Sequence, residues 1–226
     1  MKFSKARKIA AAVAVAAVVG GAALLHSTLA YLTDTQEVKN TITFGNITAE
    51  LRECGDFTDK NGNSVTVNMW PGVTKKKAPY VKNTGANAAY VRLKVYMPTA
   101  TIDGEDDTPL FDLGYLDGKK DFCAYTAPNF GSGQVNGTKV QWVKKDDGYY
   151  YLETEQHGDY ALPAAKPGES PPRTPPLFTY IRLNEAVSED DLGADYTTNI
   201  DVTAEAVQAD GFDSAEQAWK TFDSKN

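Results

Sequence analysis

Much of the chain alternates apolar and polar residues with period two, which predicts short half-buried β-strands rather than helices. The clearest run puts Val91, Leu93, Val95 and Met97 on one face and Tyr90, Arg92, Lys94 and Tyr96 on a wet one. Leu177, Thr179, Ile181 and Leu183 share a phase, as do Ile200, Val202, Ala204 and Ala206, and Pro79–Gly85 reads as a strand end and turn. Gln141–Lys144 and Tyr149–Leu152 flank Lys145-Asp146-Asp147-Gly148 and predict a hairpin. Val65, Val67 and Met69 predict one further strand after a turn at Asn61-Gly62.

Two stretches break the pattern. Ile42 and Phe44 lie in one phase while Ile47, Ala49 and Leu51 lie in the other, so a bulge at Gly45-Asn46 is expected within a single strand. Residues 98–138 are rich in Gly, Asp and Pro with little periodicity, and read as a long acidic, Gly-rich loop insertion. Ala164 to Pro176 holds five prolines and is expected to be a loop. Within residues 213–222, Ala215, Ala218, Trp219 and Phe222 form an apolar stripe at helical spacing, and Ser214 with Gln217 fits a capping box. The expected fold is all-β: a single antiparallel β-sandwich over residues 31–226 with a short C-terminal helix, its topology left open by the pattern alone.

The N-terminus adds an address. Lys2, Lys5, Arg7 and Lys8 precede an apolar run from Ile9 to Leu25, and Thr28-Leu29-Ala30 places small residues for a cut between Ala30 and Tyr31. This is the three-part pattern of a secretory signal peptide over residues 1–30, implying export with only transient membrane contact. The competing reading is an uncleaved anchor, which the Gly20-Gly21 pair disfavours. Loss of residues 1–30 removes four cations and no acid, so the net charge moves from −7 to −11. A body that acidic repels nucleic acid. Cys54 and Cys123 then form an even pair in an oxidising space, and one bridge between them is expected.

Catalytic patterns are sparse. His157 is the one histidine after residue 30; there is no H-E-x-x-H, G-x-S-x-G elbow, P-loop or dinucleotide fingerprint, and no cofactor is expected. Paired carboxylates for glycoside hydrolysis stay open because acids are numerous. The Asp56–Asn63 turn lacks the spacing of a calcium loop. Tyr149, Tyr150 and Tyr151 place at least one ring on each face of their strand, either for packing or for a sugar-binding surface.

Several blocks together resemble one family. Ala30-Tyr31-Leu32-Thr33-Asp34-Thr35, then Asn40 to Ile47, is similar to the N-terminal signature of the Gram-positive TasA/camelysin (CalY) group, processed by a SipW-type signal peptidase. Asn83-Thr84-Gly85 with Ala89-Tyr90-Val91-Arg92, Asp147-Gly148-Tyr149-Tyr150-Tyr151, and Ala204 to Phe212 with Ala218-Trp219 resemble its later blocks. The resemblance implies a jelly roll and a secreted structural protein of the cell surface or biofilm matrix, associating with copies of itself or related subunits. It further implies that the N-terminal segment, residues 31–51, adds as a strand to the next subunit, with Ile42, Phe44 and Ile47 filling pockets. A surface adhesin or glycan-binding module is the alternative. A camelysin-type metalloprotease comes third, since the sequence lacks the usual zinc ligands.

Overall fold

A computed structural model describes residues 41–44, 48–61, 65, 67–192 and 198–225. Numbered in chain order, six strands form one sheet in the order β1 (Thr41–Phe44), β13 (Asp201–Gln208), β4 (Ala89–Tyr96), β11 (Tyr150–Thr154), β10 (Thr138–Lys144) and β9 (Asn129–Val135). Five form the other: β2 (Ala49–Gly55), β3 (Thr74–Asn83), β12 (Tyr180–Leu183), β7 (Phe111–Leu116) and β8 (Phe122–Ala124). A ribbon of β5 (Thr99–Ile102) and β6 (Glu105–Pro109) stands apart, and the helices are α1 (Glu189–Leu192) and α2 (Ala215–Asp223). Inward residues of both sheets share one core: Val91, Leu93, Trp142, Tyr150 and Ala204 from one, Leu51, Val81, Phe111 and Ile181 from the other.

The expected sandwich is therefore present, and its order is that of a jelly roll. Set aside β2, β5, β6, β9 and β10, and the sheets read β1-β13-β4-β11 and β3-β12-β7-β8. In chain order these are first-eighth-third-sixth and second-seventh-fourth-fifth, the double Greek-key arrangement. One strand departs from it. The extra β2 inserts a reversal between the first two positions, so β1 runs parallel to β13 instead of antiparallel.

The single strand expected to run through Gly45-Asn46 is instead two strands in different sheets, and the expected bulge position itself lies outside the described residues. β1 lies on the six-stranded sheet and β2 on the five-stranded one. Once the chain passes from one sheet to the other, the phase of β2 is set by its own pairing with β3 and need not continue that of β1. Ala49 and Leu51 are buried from β2, whereas residues 45–47, including Ile47, lie outside the described residues.

Residues 98–138 are not a loop insertion: β5 to β9 occupy most of them. These strands escape a periodicity search because they carry few core residues. β6 reads Glu-Asp-Asp-Thr-Pro with no buried position, and β9 buries only Gly131 and Val135. Two turn dipeptides marked them. Asp103-Gly104 (φ 52° and 83°) joins β5 to β6, and Asn136-Gly137 (φ 49° and 82°) joins β9 to β10, both with the paired positive φ of tight hairpins. The strand expected at Val65–Met69 is also missing, with Val65, Val67, Asn68 and Met69 in neither sheet.

The proline-rich stretch is a loop, yet it does a strand's work. Thr174 N–H donates to Val81 O (2.9 Å) and Leu177 N–H to Pro79 O (2.9 Å), while Asn83 N–H donates to Pro172 O (2.9 Å). It thus satisfies the half of β3 that β12 leaves unpaired. Across the sandwich it accepts from Gly131 N–H at Leu177 O (2.9 Å) and from Trp142 Nε1–H at Pro175 O (2.9 Å). Prolines suit this place because the N–H donors toward β3 are those of Thr174 and Leu177, so positions 171, 172, 175 and 176 need supply none.

The expected Cys54–Cys123 bridge does not form, and both are free thiols. Cys54 sits on β2 and Cys123 on β8, at opposite edges of the five-stranded sheet. Four strand spacings of about 4.8 Å separate them by about 19 Å, far beyond the roughly 7 Å limit between bridged Cα atoms. Both thiols are expected to take up maleimide in unreduced protein, and reductant is expected to leave the melting temperature unchanged; protection of either thiol would contradict this placement.

Candidate functional site

Two features converge on β13. Along its edge lies β1, parallel, with Thr41 opposite Ala204, Ile42 opposite Glu205, Thr43 opposite Ala206 and Phe44 opposite Val207. β2, by contrast, pairs along its whole length with β3, from Ala49–Asn83 to Gly55–Lys77. Of the N-terminal residues singled out from sequence, Ile42 and Phe44 thus fall in the edge strand, while Ala30 and Tyr31, like Ile47, lie outside the described residues. Among the described residues no helix is long and apolar enough to cross a membrane.

The second feature lies on the outer face of the same sheet, where β4 was expected to be wet. α2 covers part of it. Ser214 caps that helix by accepting from Gln217 N–H (3.2 Å), and Gln217 Oε1 accepts from Asp213 N–H (2.9 Å). The helix then buries Ala215, Ala218, Trp219 and Phe222 over Val207, forming a small core outside the sandwich with Tyr90, Tyr151 and Phe212 packed against it.

Arg92 sits in the middle of this layer, 3% exposed. Its Nε donates to Glu205 Oε2 (2.6 Å), Nη1 to Tyr151 OH (3.1 Å) and Asp223 Oδ2 (3.2 Å), and Nη2 to Asp223 Oδ1. The guanidinium stacks on Tyr149 (4.0 Å to the ring centre) and on Trp219 (4.4 Å). One side chain therefore ties β4, β13, β11 and the end of α2 together. Burial alone would lower its pKa, but the hydrogen bonds to Asp223, Tyr151 and Glu205 outweigh burial and hold it above the ordinary arginine value.

The three tyrosines separate as alternation requires. Tyr149 and Tyr151 face outward, donating to Glu205 Oε1 (3.2 Å) and Asp147 Oδ2 (2.6 Å). Tyr150 points into the core, 5% exposed and edge-on to Phe130 at 4.7 Å. From sequence, Arg92 fell on a wet strand face and Trp219 in the apolar stripe of the helix, and neither was brought to the other or to Glu205. Their signal was an arginine between tyrosines on a strand's polar face together with a terminal helix whose apolar stripe needed a floor.

Burial pushes the Tyr150 phenol up to about 12, and burial followed by the Asp147 hydrogen bond raises Tyr151 as well. A folded-state pKa above the unfolded one adds stability that is complete below pH 10 and lost as pH climbs through the folded value. For Tyr150 alone this is about 2–3 kcal/mol lost between roughly pH 10 and 12. Tyr150→Phe is expected to lose less stability than the parent protein between roughly pH 10 and 12 in equilibrium denaturation; equal losses in the two proteins would contradict it.

A groove of about 640 Å3 opens beside α2, between the helix, β4, β11 and the turn around Asp159. His157 stands near it, exposed, with Nδ1 3.4 Å from Glu153 Oε2. On the other sheet, Lys77 Nζ donates to both carboxylate oxygens of Glu53 (3.1 and 2.9 Å), a buried pair joining β3 to β2. Among the described residues no three His, Cys, Asp or Glu stand together as a metal-holding group. Neither a scan against protein-family models nor a comparison with curated proteins finds a match for the chain.

Proposed function

We propose that this is an exported structural protein of the cell surface or biofilm matrix, joining an assembly by donating its N-terminal strand. The observation that carries the reading is the position of β1. It is a four-residue edge strand on one sheet, and the strand after it belongs to the other sheet. β1 can therefore leave without breaking any β2–β3 pair. Its departure bares the backbone edge of Ala204–Val207 on β13, a track that β1 of a second copy would refill. Each copy would then offer a strand and receive one, a head-to-tail contact that propagates instead of closing. The resemblance of residues 30–47 to the TasA/camelysin signature supports the same reading, including surface localisation and a non-enzymatic role.

Deleting residues 31–44 is expected to abolish fibres in electron micrographs and leave a monomer by light scattering. Fibres that form equally well without those residues would sink strand donation. In the intact protein, amide exchange is expected to step from fast in β1 to slow in β2.

A further inference from the structure

We infer that the groove beside α2 is a binding site for a neutral saccharide, independent of strand assembly. At about 640 Å3 it falls in the range of roughly 300–1,000 Å3 typical of small-molecule sites. Its aromatic surfaces come from three elements: Tyr90 on β4, Tyr151 on β11 and Trp219 on α2. Trp219 is almost wholly buried by its other neighbours, so Tyr90 and Tyr151 supply the rings that a ligand would meet. The Tyr90 hydroxyl has no hydrogen-bond partner among the described residues.

Charge decides the ligand class. Glu153 is held by Lys145 at 2.8 Å, and Asp223 is engaged by Arg92. Asp159 Oδ2 accepts from Ala215 N–H (2.9 Å) at the first turn of α2, where the helix dipole favours an anion. That leaves Glu216 and Lys220 on the rim, both exposed and of opposite sign. Four carboxylates in the lining (Glu153, Asp159, Glu216 and Asp223) against two lysines (Lys145 and Lys220) turn away a phosphate or a polyanion, and among the described residues no three acidic groups stand together to hold a metal ion. A saccharide matches what remains. Its ring offers an apolar C–H face to the tyrosines, and its hydroxyls both donate and accept toward a rim that mixes carboxylates with ammonium groups.

The test is an array of neutral oligosaccharides (glucan, mannan and N-acetylglucosamine oligomers) with sulfated and sialylated glycans as charged arms, probed with the purified protein. Retention on a neutral arm is expected, with affinity then measured by calorimetry. Tyr90→Leu keeps an apolar side chain against the small core beneath α2 and is expected to weaken binding at least tenfold. Glu216→Trp, at an exposed position in the first turn of α2 on the groove rim, is expected to block it even if the Tyr90 variant folds poorly. Lys94→Ala, on the same face away from the groove, is expected to change nothing. No retention on any neutral arm, selective retention of charged glycans, or undiminished binding by Glu216→Trp would each overturn the proposal. Fibre formation by Glu216→Trp is expected to match the parent protein, so failure of this site and failure of strand donation are separable.

Discussion

Arg92→Ala is expected to destabilise the protein by about 3–5 kcal/mol, the range for removing one partner of a buried ion pair. The guanidinium is 4% exposed and its partner Glu205 is 13% exposed, so both sit where water screens poorly. Asp223, half exposed, regains water and adds little to the loss. Glu205 bears most of it, keeping among the described residues the Tyr149 hydroxyl, and the rings of Tyr149 and Trp219 lose the cation between them. The reading is specific: in urea, α2 is expected to detach first, seen as a shift in Trp219 emission ahead of the main transition. Arg92→Lys is expected to recover only part of the stability, because one ammonium cannot reach Glu205, Tyr151 and Asp223 together. A loss under about 1 kcal/mol, the worth of a surface pair, would mean that the helix is held by its apolar stripe alone.

Gly131→Ala is expected to cost about 3 kcal/mol or more, the upper range for forcing atoms into a filled site. A Cβ there would lie 1.9 Å from Pro176 O and 2.9 Å from Leu177 O. Both are backbone atoms of the proline loop, so no side chain can swing aside. The loop would have to lift, taking Pro175 O away from the fully buried Trp142 Nε1–H and Thr174 away from β3. Gly137→Ala makes the control. It has open space around it and φ of 82°, so it bears only the left-handed backbone penalty of about 1 kcal/mol. Equilibrium denaturation of the two variants should separate steric exclusion from backbone strain; equal losses would mean that the proline loop is not locked against β9.

Wherever the deciding interactions span a few residues, the chain could be read directly. Alternation in β4, β12 and β13 follows from the two-residue pleat, the capped α2 from contacts three and four residues apart, and the β10–β11 hairpin from its turn. The same locality marks the misses. β5, β6 and β9 carry too few apolar residues to alternate, and their legible signs were the Asp103-Gly104 and Asn136-Gly137 turns.

Whether a phase slip is a bulge or a change of sheet depends on which strand receives the chain next, and both options satisfy the pattern of Ile42 to Leu51. The separation of Cys54 from Cys123 depends on three strands lying between theirs. The Arg92 layer depends on partners 113 and 131 residues away, Glu205 and Asp223. From sequence, then, came the sandwich, its helix and the N-terminal strand as the element to examine. Packing alone assigned that strand to its own sheet beside β13, and roofed the neighbouring face with α2. Side-chain periodicity records which way a residue faces, and only assembly of the sheets says what it faces.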